Sequence, residues 1–199
     1  MTKIIGLTGG IATGKTTVSN ILRQAGIPVI DADEVARQVQ TPDSVGLTRI
    51  VKVFGPQVLL ATGELNRPAL AKIVFNNKET LKKLDDLLQP LIHDKIFARA
   101  TALKKQGLPL VVLDVPLLFE QHYDEDCDYV VVVYTDQQTQ LKRLMARDHC
   151  SEQAARARIA AQFPLADKIE QADFKINNNG NQVELQKQVA SLIKQLKAE

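Results

Sequence analysis

Eight consecutive residues carry the strongest chemical signal in the chain. Gly9-Gly10-Ile11-Ala12-Thr13-Gly14-Lys15-Thr16 fits G-x-x-x-x-G-K-[ST], the pattern of a phosphate-binding loop. Glycines let backbone N–H groups converge on phosphate oxygens, and a helix starting where the loop ends adds the positive end of its dipole. Lys15 then supplies a cation for the β- and γ-phosphates of ATP, and the Thr16 hydroxyl a ligand for Mg²⁺. A second candidate is Asp31-Ala32-Asp33, where a carboxylate can take the proton of an acceptor hydroxyl. Asp31 can equally cap a helix with Glu34 at its third position; both roles hold if one aspartate caps while the other faces the site. A third is Leu110-Val111-Val112-Leu113-Asp114, an apolar run ending in a carboxylate, the form of a Walker B strand, in which Asp114 orients Mg²⁺ or its water shell. Gln140, Arg143 and Arg147 have the spacing of one helical face, and Arg156 and Arg158 follow in the next helix. Guanidinium groups match charge spread over phosphate oxygens, and a phosphate loop needs such partners.

Those residues have to be held by a scaffold, and the pattern of apolar residues indicates which. Short β-branched runs at Lys3–Thr8, Pro28–Asp31, Leu110–Val115, Tyr129–Tyr134 and Phe174–Asn177 alternate with longer helical patterns, which predicts an α/β fold on a parallel sheet. Val130 to Val133 shows no polar alternation, so both faces of that strand should be covered. Between Ile30 and Leu110 no strand is expected. Leu81, Leu84, Leu88 and Leu91 instead mark a helix that Pro90 should kink or interrupt. A second helical stretch, about 136–162, should open on a capping box of Thr135 and Gln138. Its apolar content is thin, so it should pack lightly and be able to move. Leu185, Val189, Leu192 and Leu196 predict a closing amphipathic helix.

The 199 residues include 45% hydrophobic ones, enough for one domain with a real core. Lys+Arg 25 against Asp+Glu 23 leaves a net charge of +2, which gives no reason to expect a nucleic-acid or membrane-surface partner. No apolar run reaches the roughly 18 residues of a spanning helix, and the start Met1 to Leu7 lacks the apolar segment and cleavage site of a secretion signal. Cys127 and Cys150 make no disulfide framework, which points to a reducing cytoplasm, and neither has the surroundings of a nucleophile. His93, His122 and His149 lack metal-ligand spacing, and Asp124-Glu125-Asp126 with Asp128 reads as a solvated acidic loop. The segment Val115-Pro116-Leu117-Leu118-Phe119-Glu120 is unusually apolar for a loop after a strand, which suits gripping an organic substrate.

Along nearly its whole length the chain resembles the bacterial dephospho-coenzyme A kinases. The shared blocks run from Gly6-Leu7-Thr8-Gly9-Gly10-Ile11 into Gly14-Lys15-Thr16, then Asp31-Ala32-Asp33 with Arg37, Leu65-Asn66-Arg67, Leu70, Val74-Phe75 and Asp114 to Glu120. They continue with Gln140, Arg143 and Arg147, Arg158-Ile159, Gln162, Ala172-Asp173, and Ile176, Asn178 and Gly180. The first block is common to many nucleotide-binding proteins; its combination with Asp31-Ala32-Asp33 and the Asp114–Glu120 block is much more specific. The resemblance implies ATP-dependent phosphorylation of the ribose 3′-hydroxyl of dephospho-CoA, with ATP and Mg²⁺ required and the oligomeric state left open. It also implies a P-loop NTPase fold of the nucleoside-monophosphate-kinase kind: three α/β/α layers and a five-stranded parallel sheet. The core would take residues 1–35, 108–136 and 171–199, a helical acceptor-side region about 36–107, and a lid about 137–170.

By the same resemblance, Asp33 is the base, and Lys15 and Arg143 stabilise the transferring phosphoryl group. Residues Gly9 to Thr16 with Thr17, Arg143 and Arg147 bind ATP, and Thr16, with Asp114 through water, holds Mg²⁺. Thr8, Asp33, Arg67, Leu117, Leu118 and Glu120 bind the acceptor. Three departures stand out. Ala12 replaces a usual glycine, so the loop must avoid positive φ there or tolerate strain. Thr13 and Thr16 replace serines and keep the hydroxyls. Gln89-Pro90 replaces a usual His-Pro pair, and no catalytic histidine is assigned. Two rival readings are a kinase of the same architecture for another nucleotide or nucleoside, and a nucleotide-binding ATPase with no acceptor.

Overall fold

The structure, a computed structural model, describes residues 2–74 and 77–198. Phe75, one of the residues that carried the resemblance, lies outside them. Five strands form one sheet in the order β2-β3-β1-β4-β5: β1 (Lys3–Gly9), β2 (Val29–Asp31), β3 (Leu110–Asp114), β4 (Tyr129–Tyr134) and β5 (Phe174–Asn177). β1 pairs in parallel with β3 and with β4, and β4 in parallel with β5. The chain therefore passes from β3 across β1 to β4, and the strand order reverses beside β1. Open parallel sheets bind ligands at such a point, off the carboxyl ends of the strands.

The helices are α1 (Lys15–Gln24), α2 (Ala32–Gln38), α3 (Val45–Phe54), α4 (Arg67–Val74), α5 (Lys78–Lys105), α6 (Gln137–Asp148), α7 (Glu152–Ala160), α8 (Leu165–Glu170) and α9 (Gln182–Ala198). Packing divides the chain into two compact units, residues 1–30 with 100–199, and residues 31–99. In the first unit, α1 and α9 cover one face of the sheet. Val18 and Leu22 of α1 and Leu185, Val189, Leu192 and Leu196 of α9 bury against Ile5, Leu7, Val112, Val131 and Val133. On the other face Leu118 sits against Gly6, and α8 packs on β4. Val130 to Val133 are all buried, which is why that strand has no polar alternation. The second unit is helical, with Val35, Leu47, Ile50, Phe54, Leu70, Leu88 and Ile92 buried. Among its described residues the only β pairing outside named strands is one antiparallel bridge, Leu59 to Leu65.

The structure sharpens two local expectations and corrects one, the cap of the second helical stretch. α5 runs unbroken through Pro90 for 28 residues. Proline removes one hydrogen bond and crowds the preceding turn, but Leu88, Ile92, Ile96 and Ala100 are buried along one stripe and hold the helix across it. The cap of α6 is Asp136, whose side chain accepts from the Thr139 amide, not Thr135. Thr135 is buried and hydrogen-bonds the Asn179 side chain instead. The stretch 136–162 is broken into α6 and α7, because His149 turns left-handed at φ 49° and Ser151 caps a new helix.

Candidate nucleotide-binding site

The glycine-rich segment emerges from β1, the strand flanked by β3 and β4, and ends in α1. Seven helices start on a side chain that accepts from a first-turn amide: α2 on Asp31, α3 on Ser44, α4 on Asn66, α5 on Asn77, α6 on Asp136, α7 on Ser151 and α9 on Asn181. The start of α1 differs. Gly14 stands at its cap with φ 96°, no side chain caps it, and its first turn has no acidic residue but does have Lys15. A cation beside the positive end of a helix dipole is locally unfavourable. Uncapped amides and a lysine at one helix start are the arrangement an anion completes.

The floor of the loop is tightly built. Thr13 is fully buried, and its hydroxyl and amide both bond to the Gly10 carbonyl, at 2.9 and 3.2 Å. Asn178, just past β5, donates to the Thr13 carbonyl at 2.8 Å. A Cβ on Gly14 would lie 2.0 Å from the Asn178 amide nitrogen, so sterics and positive φ both demand glycine there. Ala12 settles its own question: its φ is 61°, so the loop accepts a left-handed alanine, at a cost of roughly 1–2 kcal/mol relative to an unstrained backbone.

Asp114, at the end of β3, is 3% exposed. One carboxylate oxygen pairs with the Lys15 ammonium and the other accepts from the Ser19 hydroxyl. Buried charges persist when paired and hydrogen-bonded in this way. Lys15 and Ser19 are four residues apart on α1, so one helix face delivers both partners. Ser19 was not foreseen. Its signal was a polar residue on the stripe formed by Val18 and Leu22, all three buried. Thr16 and Thr17 are exposed on the first turn.

Arg143 lines a cleft of about 340 Å³ with Gly14, Thr17, Asn178, Gly180 and Gln182, which brings an α6 arginine to the loop's rim. Arg147 is placed differently. It grips Asp148 through Nε at 2.7 Å and Nη2 at 3.0 Å, and Arg158 of α7 binds the same carboxylate. The Arg147 hydrogen bond holds Asp148 below the usual carboxylate range and raises Arg147 in turn.

The residues expected at the acceptor are distributed unevenly. Thr8 is fully buried and donates to the Pro116 carbonyl at 3.0 Å. Leu118 is fully buried, while Leu117 is 39% exposed, so of the two only Leu117 presents apolar surface. Glu120 pairs at 2.8 Å with Lys168, a lysine with no solvent exposure whose ammonium also reaches the Pro116 carbonyl at 3.3 Å. Glu120 additionally accepts from the Phe163 amide at 3.2 Å. Lys168 was also missed; a lone lysine on a six-residue helix has no sequence signature of burial.

In the second unit, the Asp31 carboxylate accepts from the amides of Asp33 and Glu34, at 2.9 and 3.1 Å. Asp31 is thus the cap, and the Asp33 side chain is exposed on the first turn of α2. Arg67 donates to Gln40 at 3.0 Å and lines an apolar cavity of about 430 Å³ with Leu70, Leu84, Asp85, Leu88 and Gln89. Burial and then the neighbouring Asp86 push the Asp85 carboxyl up.

Comparison with known proteins converges on one family. The dephospho-CoA kinase family model matches residues 3–184. A dephospho-CoA kinase of Geobacillus kaustophilus is 50% identical over 195 residues, covering 98% of this chain and 97% of that protein. Among solved structures, a dephospho-CoA kinase from Campylobacter jejuni aligns with a TM-score of 0.77 at 31% identity, covering 100% of this chain and 98% of that one. A shikimate kinase from Bacteroides thetaiotaomicron, with a TM-score of 0.55 and 14% identity over 98% of each chain, shares the fold alone.

Proposed function

The chain belongs to the dephospho-CoA kinase family, and from that premise we propose that it transfers the γ-phosphoryl group of ATP to the ribose 3′-hydroxyl of dephospho-CoA, giving CoA and ADP, the last step of coenzyme A synthesis. The observation that carries the reading is the uncapped start of α1, with Lys15 at its first position, beside a cleft that Arg143 lines with Gly14 and Thr17. Residues Gly9 to Thr17 form the loop and helix start that hold the phosphates. Lys15 and Arg143 neutralise charge on the transferring group, which is most of what phosphoryl transfer asks of a protein. Asp33 is assigned the base: its carboxylate takes the hydroxyl proton, the freed oxygen bonds to the γ-phosphorus, and the bond to ADP breaks. That role suits a carboxylate that Asp31 relieves of capping. Arg67 and Leu117 are assigned to the acceptor. Thr8, Leu118 and Glu120 support that loop from beneath, through the contacts described above. Arg147 reaches a phosphate only by leaving Asp148.

The hydroxyl of the exposed Thr16 is an oxygen donor of the kind Mg²⁺ takes. Asp114, buried with its two oxygens held by Lys15 and Ser19, would act through water. Few protein ligands are needed when the nucleotide supplies the rest. When bound, the ion offsets negative charge between the β- and γ-phosphates. A cytoplasmic location is proposed with the pathway step; no helix among the described residues is long and apolar enough to cross a membrane.

The test is ATP turnover with and without dephospho-CoA, followed by mass spectrometry of the acceptor. Acceptor-dependent ADP release with a gain of roughly 80 Da, one phosphoryl group, is expected. ATP binding without a phosphorylated product would sink the acceptor assignment. Asp33→Asn should retain ATP binding and lose about 10²–10⁴-fold in turnover; near-normal turnover would return Asp33 to a structural place.

A further inference from the structure

Ile11, in the middle of the phosphate loop, is held at its backbone N–H and at its backbone C=O, which belong to two successive peptide groups, by glutamine side chains of the lid region. Gln162, between α7 and α8, accepts from the Ile11 amide at 2.7 Å. Gln140, on α6 and only 3% exposed, donates to the Ile11 carbonyl at 2.9 Å. The neighbouring residues fit the same contact. A Cβ on Gly10 would lie 2.7 Å from the Gln140 amide nitrogen, so a side chain there would displace that amide from the loop. Ala12, on the other side, is the residue held at φ 61°. Strained backbone persists where its surroundings over-determine it, and two successive peptides, each fixed by a glutamine, are such a surrounding.

Resting on the kinase reading above, we propose that Gln140 and Gln162 are positioning residues, which clamp the backbone on both sides of the Ile11 Cα so that the phosphate loop takes its nucleotide-binding shape only with the lid helices seated. The clamp also sets Arg143. Gln140 and Arg143 are three residues apart on α6, hence on one face, so tying Gln140 to the loop fixes how far along the cleft the guanidinium reaches. The Ile11 amide is thereby committed to Gln162 and is not one of the donors offered to phosphate.

The two glutamines play opposite hydrogen-bonding roles, which gives the test its discrimination. Position 162 needs only an acceptor, so Gln162→Glu should keep ATP affinity within about twofold, while Gln162→Met should weaken it about tenfold. Position 140 needs a donor, so Gln140→Glu, which sets a carboxylate against a carbonyl, should weaken ATP binding about tenfold or more, at least as much as Gln140→Met. The readouts are the ATP Kd by calorimetry and the separate KM values for ATP and dephospho-CoA, the latter expected to stay within about twofold. A purely structural role would lower Tm and the active fraction without this donor–acceptor asymmetry and without a selective change for ATP. Equal effects of Gln→Glu at both positions, or unchanged ATP affinity in folded Met variants, would overturn the proposal. Hydrogen exchange of the Ile11 amide in the ligand-free wild type needs no variant: protection is expected, and exchange at the rate of an open loop would overturn the clamp. If the wild type itself fails to bind ATP, the kinase reading falls; if it binds and the variants bind alike, only the clamp falls.

Discussion

Beneath the phosphate loop, Asp114 is buried at the end of a fully buried strand, and its partners Lys15 and Ser19 come from a helix pinned to the sheet by Val18 and Leu22. In α6 and α7, by contrast, Arg147, Arg156 and Arg158 are exposed and pair with Asp148 and Glu152, while the buried anchors are few: Gln140, Leu144 and Ala155. Burying a Val or Leu side chain is worth roughly 1.5–3 kcal/mol. An exposed ion pair is worth about 0–1 kcal/mol and weakens with salt. Asp114 and its two partners are therefore held by the core, whereas α6 and α7 rest on a few buried contacts. In the mechanism proposed above, the first supplies preorganised charge and the second the arginines of a cover that opens and closes.

The largest expected effect falls on the floor. Lys15→Ala should reduce turnover about 10³-fold, because it removes a charge aimed at the reacting phosphate. A loss below about tenfold in a coupled ADP assay would leave Lys15 only the role of partner to Asp114. The lid comes next. Arg143→Ala should lower kcat about 10–100-fold with Tm nearly unchanged, while Arg147→Ala should change kcat less than about threefold, its guanidinium being held by Asp148. Equal losses at both positions would mean that Arg147 leaves Asp148 on nucleotide binding.

Backbone strain tests the floor more finely. Ala12→Gly should raise stability by about 1 kcal/mol on urea unfolding, through relief of the left-handed alanine, less the added freedom of the unfolded chain. A loss of stability would mean that the methyl packs well enough to offset its strain. The smallest effect is the lid's response to acid. Hydrogen bonds from Thr139 lower the Asp136 pKa, and the Arg147 hydrogen bond lowers that of Asp148. Carboxylates lowered in the folded state contribute above their unfolded pKa of about 3.9, and the contribution is lost as pH falls through the lowered folded values. Protection of α6 amides should thus be flat from about pH 7 to 5 and fall only below about pH 4. Loosening near pH 6 would point to a histidine instead.

Much of this was legible in residue order. Strand β4 and strand β5 lie where the β-branched runs put them, and Leu185, Val189, Leu192 and Leu196 form the buried stripe of α9. Glycines, a lysine and a carboxylate-ended strand likewise announce a phosphate site, because spacing along one strand, loop or helix is written in the chain itself. What sequence left undecided depended on partners distant in the chain. Pro90 looks like a helix breaker until the buried stripe of α5 is seen to continue past it. Thr135 and Asp136 are equally good caps until Asn179, more than 40 residues on, takes the threonine.

The sequence by itself determined the class of fold, the phosphate loop and the family, since each rests on residues close together or on blocks in a fixed order. Only the tertiary structure decided that Lys168 is buried against Glu120, that Leu118 faces the core while Leu117 does not, and that two glutamines 22 positions apart meet on the backbone of one residue of the loop. Those outcomes turn on which polar groups are removed from water together. A buried donor or acceptor costs roughly 1–3 kcal/mol when unpaired, and its partner is set by how the elements pack, not by the residues beside it in the chain.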